Sequence, residues 1–139
     1  GWAIIKAMQD GYDLNYMPLA DLDSRLDYYT PVIITNDQLI KGDPELVQSF
    51  MNATKKGYQE AIKDPNDSAK LLQKYAKENE LSFLEESQAF LSKNYTDDPE
   101  KWGMMEEKVW GNYTDFMQEN GLIKQNVPSQ ELFTNQFVK

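Results

Sequence analysis

The side chains of this sequence with chemistry to offer are carboxylates and aromatics. Asp97-Asp98, Glu85-Glu86 and Glu106-Glu107 are adjacent pairs, and two carboxylates can share general acid and base work when an apolar pocket raises one of them. Neighbouring positions on a helix point to different sides, and no apolar pocket is implied around these pairs, so they read as solvated helix surface. Asp21, Asp23 and Asp27 form the densest carboxylate group. Their spacing lacks the Gly and the distal Glu of a calcium loop, and incidental surface charge is the better reading. Tyr28-Tyr29-Thr30-Pro31 follows directly. A tyrosine supplies both a stacking face and a hydrogen bond, and strand ends in open α/β sheets are where ligands bind. Because adjacent strand residues face opposite ways, at most one of the pair is expected to point into a given cleft. Trp2 has a similar claim beside a simpler one, that it anchors the first helix.

What must position these residues changes character along the chain. Trp2, Ile4, Ile5 and Met8 share a helical face that stops at Asp10-Gly11. Tyr12–Met17 alternates and ends at Pro18, which predicts a short strand. Pro31-Val32-Ile33-Ile34-Thr35 predicts a buried strand. From Asp43 the signals are helical. Asp43-Pro44-Glu45 opens a helix that runs to Asp64-Pro65. A second carries Leu71, Leu72, Tyr75 and Ala76, and a third is predicted from a capping box at Ser82–Glu85. A fourth is predicted from about Lys101 to Asn120-Gly121, and a last short one from Pro128-Ser129. In the fourth, Trp102, Trp110, Tyr113 and Phe116 read as core, with Trp110 towards the edge of the buried face. Two strands cannot make a parallel sheet alone, so the layout resembles the end of a larger α/β protein.

Composition removes whole classes of function. Among 139 residues there is no His and no Cys. That excludes imidazole bases, Ser-His-Asp triads, thiolate nucleophiles and His- or Cys-ligated metals from the residues present, and no cofactor is expected. The net charge of −9 disfavours nucleic acid and anionic lipid as partners. Nothing approaches the roughly 20 apolar residues of a membrane span. Four Asn-x-Ser/Thr sequons, at Asn52, Asn66, Asn94 and Asn112, read as chance.

A resemblance organises these observations. Gly1-Trp2, Asp13-Leu14-Asn15-Tyr16-Met17-Pro18-Leu19 and above all Tyr28-Tyr29-Thr30-Pro31-Val32-Ile33-Ile34-Thr35 are similar to ABC-transporter substrate-binding proteins of the thiamine pyrimidine precursor-binding family. The likeness continues through Asp43–Val47, Ala53–Tyr58, Trp102-Gly103, Val109-Trp110 and Glu119–Ile123. It implies the C-terminal portion of a type II periplasmic-binding-protein-like fold: α/β and helix-rich, with few strands and about five helices. Residues 1–17 would be the tail of the second lobe, 18–31 the interlobe crossover and 32–139 the C-terminal part of the first lobe. Trp2, Tyr28 and Tyr29 would be the ligand-binding positions, sandwiching a flat aminopyrimidine. Relatives often carry an acidic residue directly after the Trp, and here it is Ala3, which leaves other small heteroaromatic or anionic solutes open.

The function implied is non-enzymatic: a solute-binding protein, extracytoplasmic, lipid-anchored or periplasmic, that hands a small molecule to ABC permease subunits. A fragment of a thiamine-pyrimidine synthase-like enzyme is one alternative: that related branch of the fold builds the pyrimidine with a histidine, which these residues lack. A helical protein-interaction domain is the other, suggested by the composition after residue 43. An uncovered sheet edge predicts self-association of the isolated chain.

Overall fold

Extended, β-branched stretches become strands only where another strand accepts their hydrogen bonds. In the computed structural model, which describes residues 2–138, no such partner is present and no strand forms among the described residues. Tyr12–Met17 and Pro31–Thr35, both expected as strands, are irregular. Pro31–Thr35 is also not buried: Val32, Ile33 and Ile34 lie exposed, Ile34 to 86%. The chain is helix-rich. Gly1, the first residue of the expected second-lobe tail, lies outside the described residues.

Seven α-helices are present among the described residues: α1 Trp2–Gln9, α2 Leu19–Leu22, α3 Asp37–Gly42, α4 Pro44–Lys63, α5 Pro65–Gln73, α6 Leu81–Leu91 and α7 Glu107–Glu119. Short 3-10 turns occupy Ser24–Leu26, Pro99–Lys101 and Ser129–Glu131. The local chemistry explains most of the ends. The Asp43 carboxylate accepts the Leu46 N–H at 3.0 Å, and the Asp64 carboxylate that of Asp67 at 2.9 Å, with Pro65 opening α5. Gly11 (φ +83°) and Gly121 (φ +69°) end α1 and α7 in the left-handed conformation. The following residues close each end, Tyr12 N–H donating to Ala7 C=O at 3.0 Å and Leu122 N–H to Met117 C=O at 2.8 Å.

Two helix starts differ from the sequence pattern. The capping box expected at Ser82 does not form; α6 begins at Leu81, and Glu80 ahead of it makes no side-chain cap. Starting there places Leu81 against the hydrophobic core. The helix expected from Lys101 begins only at Glu107, because Gly103 (φ +84°) breaks the chain direction after Trp102.

The chain forms two units, each assembled from two stretches of sequence. The first comprises residues 2–15 and 50–102. Its core is Ile5, Ala69, Phe83 and Leu84, where α6 packs on α5 and α1. Tyr58 of α4 stacks on buried Trp102 (centroids 4.6 Å, interplanar angle 28°) and meets the edge of Tyr95 at 4.9 Å. Lys55 Nζ donates to Glu100 C=O at 2.6 Å, holding the 99–101 turn against α4. The second unit comprises residues 16–49 and 103–138. There Asn135 clamps the backbone ahead of α7, accepting the Met105 N–H at 3.0 Å and donating to the Met105 C=O at 2.8 Å. Gln48 Nε2 donates to Phe137 C=O at 3.0 Å, and Val138 is buried against Gly103.

Candidate functional site

Within the second unit, residues 23–29 run along α7 in a fixed register. Arg25 lies over Phe116, its guanidinium carbon 5.1 Å from the ring centroid, and its Nη1 donates to Glu119 at 2.6 Å. Tyr28 stacks on Tyr113 with centroids 4.1 Å apart and planes 18° apart. Tyr29 tilts against Trp110 at 6.1 Å, and its phenol oxygen accepts the Glu106 N–H at 2.8 Å. As the loop number rises the helix number falls, through 119, 116, 113, 110 and 106. Steps of three and four keep those positions on one helix face. Trp110 also stacks with Phe133 (6.2 Å, 12°).

This register corrects the expectation that Tyr28 and Tyr29 must face opposite ways. Residues 27–30 are not a strand, so the two-residue alternation does not apply, and both rings meet α7 one turn apart. Trp2, the third expected site residue, belongs to the first unit. It is exposed to 43% and sits edge-on to Phe83 (5.3 Å, 74°).

The aromatic stripe assigned to core divides. Trp102 is core of the first unit. Trp110, Tyr113 and Phe116 are half-buried seats for Tyr29, Tyr28 and Arg25. Arg25 is marked in the sequence only by its rarity: it is one arginine beside thirteen lysines, flanked by Asp23 and Asp27. Its Nε and Nη2 grip Asp23 at 3.1 and 2.8 Å while Nη1 holds Glu119. Two carboxylates and a fork geometry suit guanidinium and not ammonium.

Electrostatics follow these contacts. Arg25, through its side-chain and backbone hydrogen bonds, holds the Asp23 carboxyl below the usual carboxylate range. Burial first, and Tyr28 second, push the Tyr113 phenol up. The arrangement offers planar faces, phenol hydroxyls and a compensated charge. It can stack and hydrogen-bond a flat solute. At 4.1 Å the Tyr28–Tyr113 stack admits no third ring, since a sandwich needs about 7 Å. A planar guest must therefore use an outer face or part the pair.

Two clefts lie elsewhere within the separate units. One of about 370 Å³ is lined by Glu107, Lys108, Gly111, Asn112, Asp115 and Ser129. Its lining residues carry charges of both signs and include no aromatic. The other, about 300 Å³ in the first unit, lies among Thr54, Gly57, Tyr58, Ala61 and Tyr95. Among the described residues no group of three or more acidic, His or Cys side chains is placed to hold a metal ion.

Two comparisons with known proteins found similarity. The NMT1/THI5 like family matches residues 1–68, the stretch that contains Trp2, Tyr28 and Tyr29. The riboflavin-binding protein RibY of Chloroflexus aurantiacus is 26% identical over 150 aligned positions, which cover 99% of this chain. The chain spans 41% of that relative's length. Over residues 1–68 this chain is thus similar to NMT1/THI5 like proteins, and over nearly all of it to a riboflavin-binding protein.

Proposed function

We propose that this chain is part of a solute-binding component of an ABC importer, and that Tyr28 and Tyr29 on α7 contact a small heteroaromatic solute. The observation that carries the reading is the register of two adjacent tyrosines on Tyr113 and Trp110, in a segment similar to NMT1/THI5 like proteins. Two solute chemistries follow from it. A thiamine pyrimidine precursor is the expectation from the resemblance; an isoalloxazine is the one suggested by the relative's name. Both are flat, nitrogen-rich rings with polar edges, suited to stacking with a few hydrogen bonds. Trp2 remains a proposed third contact. The role is binding without conversion, in keeping with a sequence that has no His and no Cys.

The remaining assignments belong to the same proposal. Residues 1–17 are read as the tail of a second lobe, 18–31 as the crossover and 32–139 as part of the first lobe. The location is extracytoplasmic, lipid-anchored or periplasmic, and permease subunits are the partners. No helix among the described residues is long and apolar enough to cross a membrane. The sheet edge expected to drive self-association is absent among the described residues; the isolated chain is proposed to self-associate instead through the exposed apolar side chains of Val32–Ile34.

Calorimetric titration of the complete protein with aminopyrimidines and with riboflavin tests the reading. Heat with an aminopyrimidine supports the thiamine-type solute. Heat with riboflavin alone keeps the heteroaromatic class and rejects the pyrimidine. No heat and no thermal shift with any of them overturns the proposal.

A further inference from the structure

The register of residues 23–29 on α7 has two ends. At one, the Glu106 N–H holds the Tyr29 phenol. At the other there is Arg25, and its three partners converge from both sides of the contact: Asp23 from the loop itself, Phe116 and Glu119 from the last turns of α7. Asp23 and Glu119 are like charges drawn towards one another, and Glu119 stands at the helix end where the dipole already disfavours an anion. Only a cation between them makes this arrangement favourable. Tyr28 lies between the two ends, where it stacks on Tyr113.

We propose that Arg25 is the positioning residue of the aromatic site, setting where Tyr28 and Tyr29 stand on α7 without itself contacting the solute. Its consequence for solute affinity rests on the solute-binding reading above. The positioning itself does not. Lysine cannot replace it, because one ammonium cannot grip Asp23 through two nitrogens, reach Glu119 and cover the Phe116 ring together.

The test compares Arg25→Ala and Arg25→Lys with the parent protein in three measurements. Far-UV circular dichroism reports the helices, the part of the near-UV tyrosine band that Tyr28→Leu removes reports the stacked pair among eight tyrosines, and fluorescence titration reports free riboflavin. The expected result is an unchanged far-UV spectrum with that Tyr28-dependent part of the near-UV band reduced by more than half in Arg25→Ala and only partly restored in Arg25→Lys. Riboflavin affinity falls about tenfold in Arg25→Ala. An unchanged tyrosine band in a folded Arg25→Ala overturns the proposal. Should Arg25→Ala not fold, Glu119→Gln, which removes one partner of the fork, decides the matter in the same way: a weakened band supports the positioning role and an unaltered one rejects it. If parent and variant alike ignore riboflavin while the tyrosine band falls, the positioning role stands and the riboflavin version of the solute reading is what fails.

Discussion

The Glu106 N–H donates to the phenol oxygen of Tyr29 at 2.8 Å, one residue ahead of the first turn of α7. Glu106 makes no side-chain cap, so a side chain 77 residues away in sequence serves the end of that helix. Tyr29→Phe keeps the ring against Trp110 and removes this acceptor. Water reaches the exposed Glu106, so the cost is about 0.5–1 kcal/mol. Tyr29→Ala also loses the ring contact and costs about 2 kcal/mol. Urea unfolding of both variants measures the difference.

The Tyr113 phenol is raised in the folded protein by burial and by Tyr28. A raised folded pKa means that the native state prefers the neutral phenol. That contribution to stability is complete below the unfolded value of about 10 and is lost as pH rises through the folded pKa. Tyr95 is raised as well, chiefly by burial. Urea midpoints should fall above about pH 10. Tyr113→Phe should remove part of that fall, and an undiminished fall would contradict the assignment.

Gly103 and Gly11 separate backbone strain from crowding. Both are left-handed, at φ +84° and +83°. A Cβ on Gly11 meets open space, whereas on Gly103 it comes within 3.0 Å of Val138 Cγ1. Gly11→Ala is expected to cost about 1 kcal/mol and Gly103→Ala about 2–3 kcal/mol. Equal melting points for the two variants would show that Val138 gives way.

Ser87 is 1% exposed, and its hydroxyl makes no hydrogen bond among the described residues. Removing a buried hydroxyl without a partner relieves a desolvation cost. Ser87→Ala should therefore be neutral or stabilising by up to about 1 kcal/mol, in contrast to most buried substitutions. Thermal melting reads the sign.

Ile34 is the most exposed large apolar side chain. If Val32–Ile34 mediates self-association, Ile34→Lys should lower the mass measured by light scattering at a given concentration. An unchanged mass would move the interface elsewhere.

Much of this architecture can be read from local chemistry. Asp43, Asp64, Gly11 and Gly121 act within a few residues of themselves, so their helix ends are legible. The strands at Tyr12–Met17 and Pro31–Thr35 are not, because a strand depends on a partner that the local pattern does not contain. Trp102 illustrates a second limit. Its helical spacing with Met105 and Val109 is genuine, but Gly103 lets the chain turn and hands Trp102 to Tyr58. At the site, the two tyrosines are legible as aromatics before a Pro. Their shared seat on α7 is not, since period-two reasoning holds only for a strand. Arg25 was legible only through its rarity.

The contacts that seat this loop join residues far apart along the chain, 77 positions for Tyr29 with Glu106 and 94 for Arg25 with Glu119. A ribosome therefore delivers Arg25, Tyr28 and Tyr29 well before the helix that receives them exists. Loop closure across such spans is slow relative to local helix formation. The aromatic seat is consequently among the later parts of the molecule to form, and until α7 emerges Tyr28 and Tyr29 have no Tyr113 or Trp110 to rest on. The tyrosines proposed to meet a solute thus stand without their helical seat through much of synthesis.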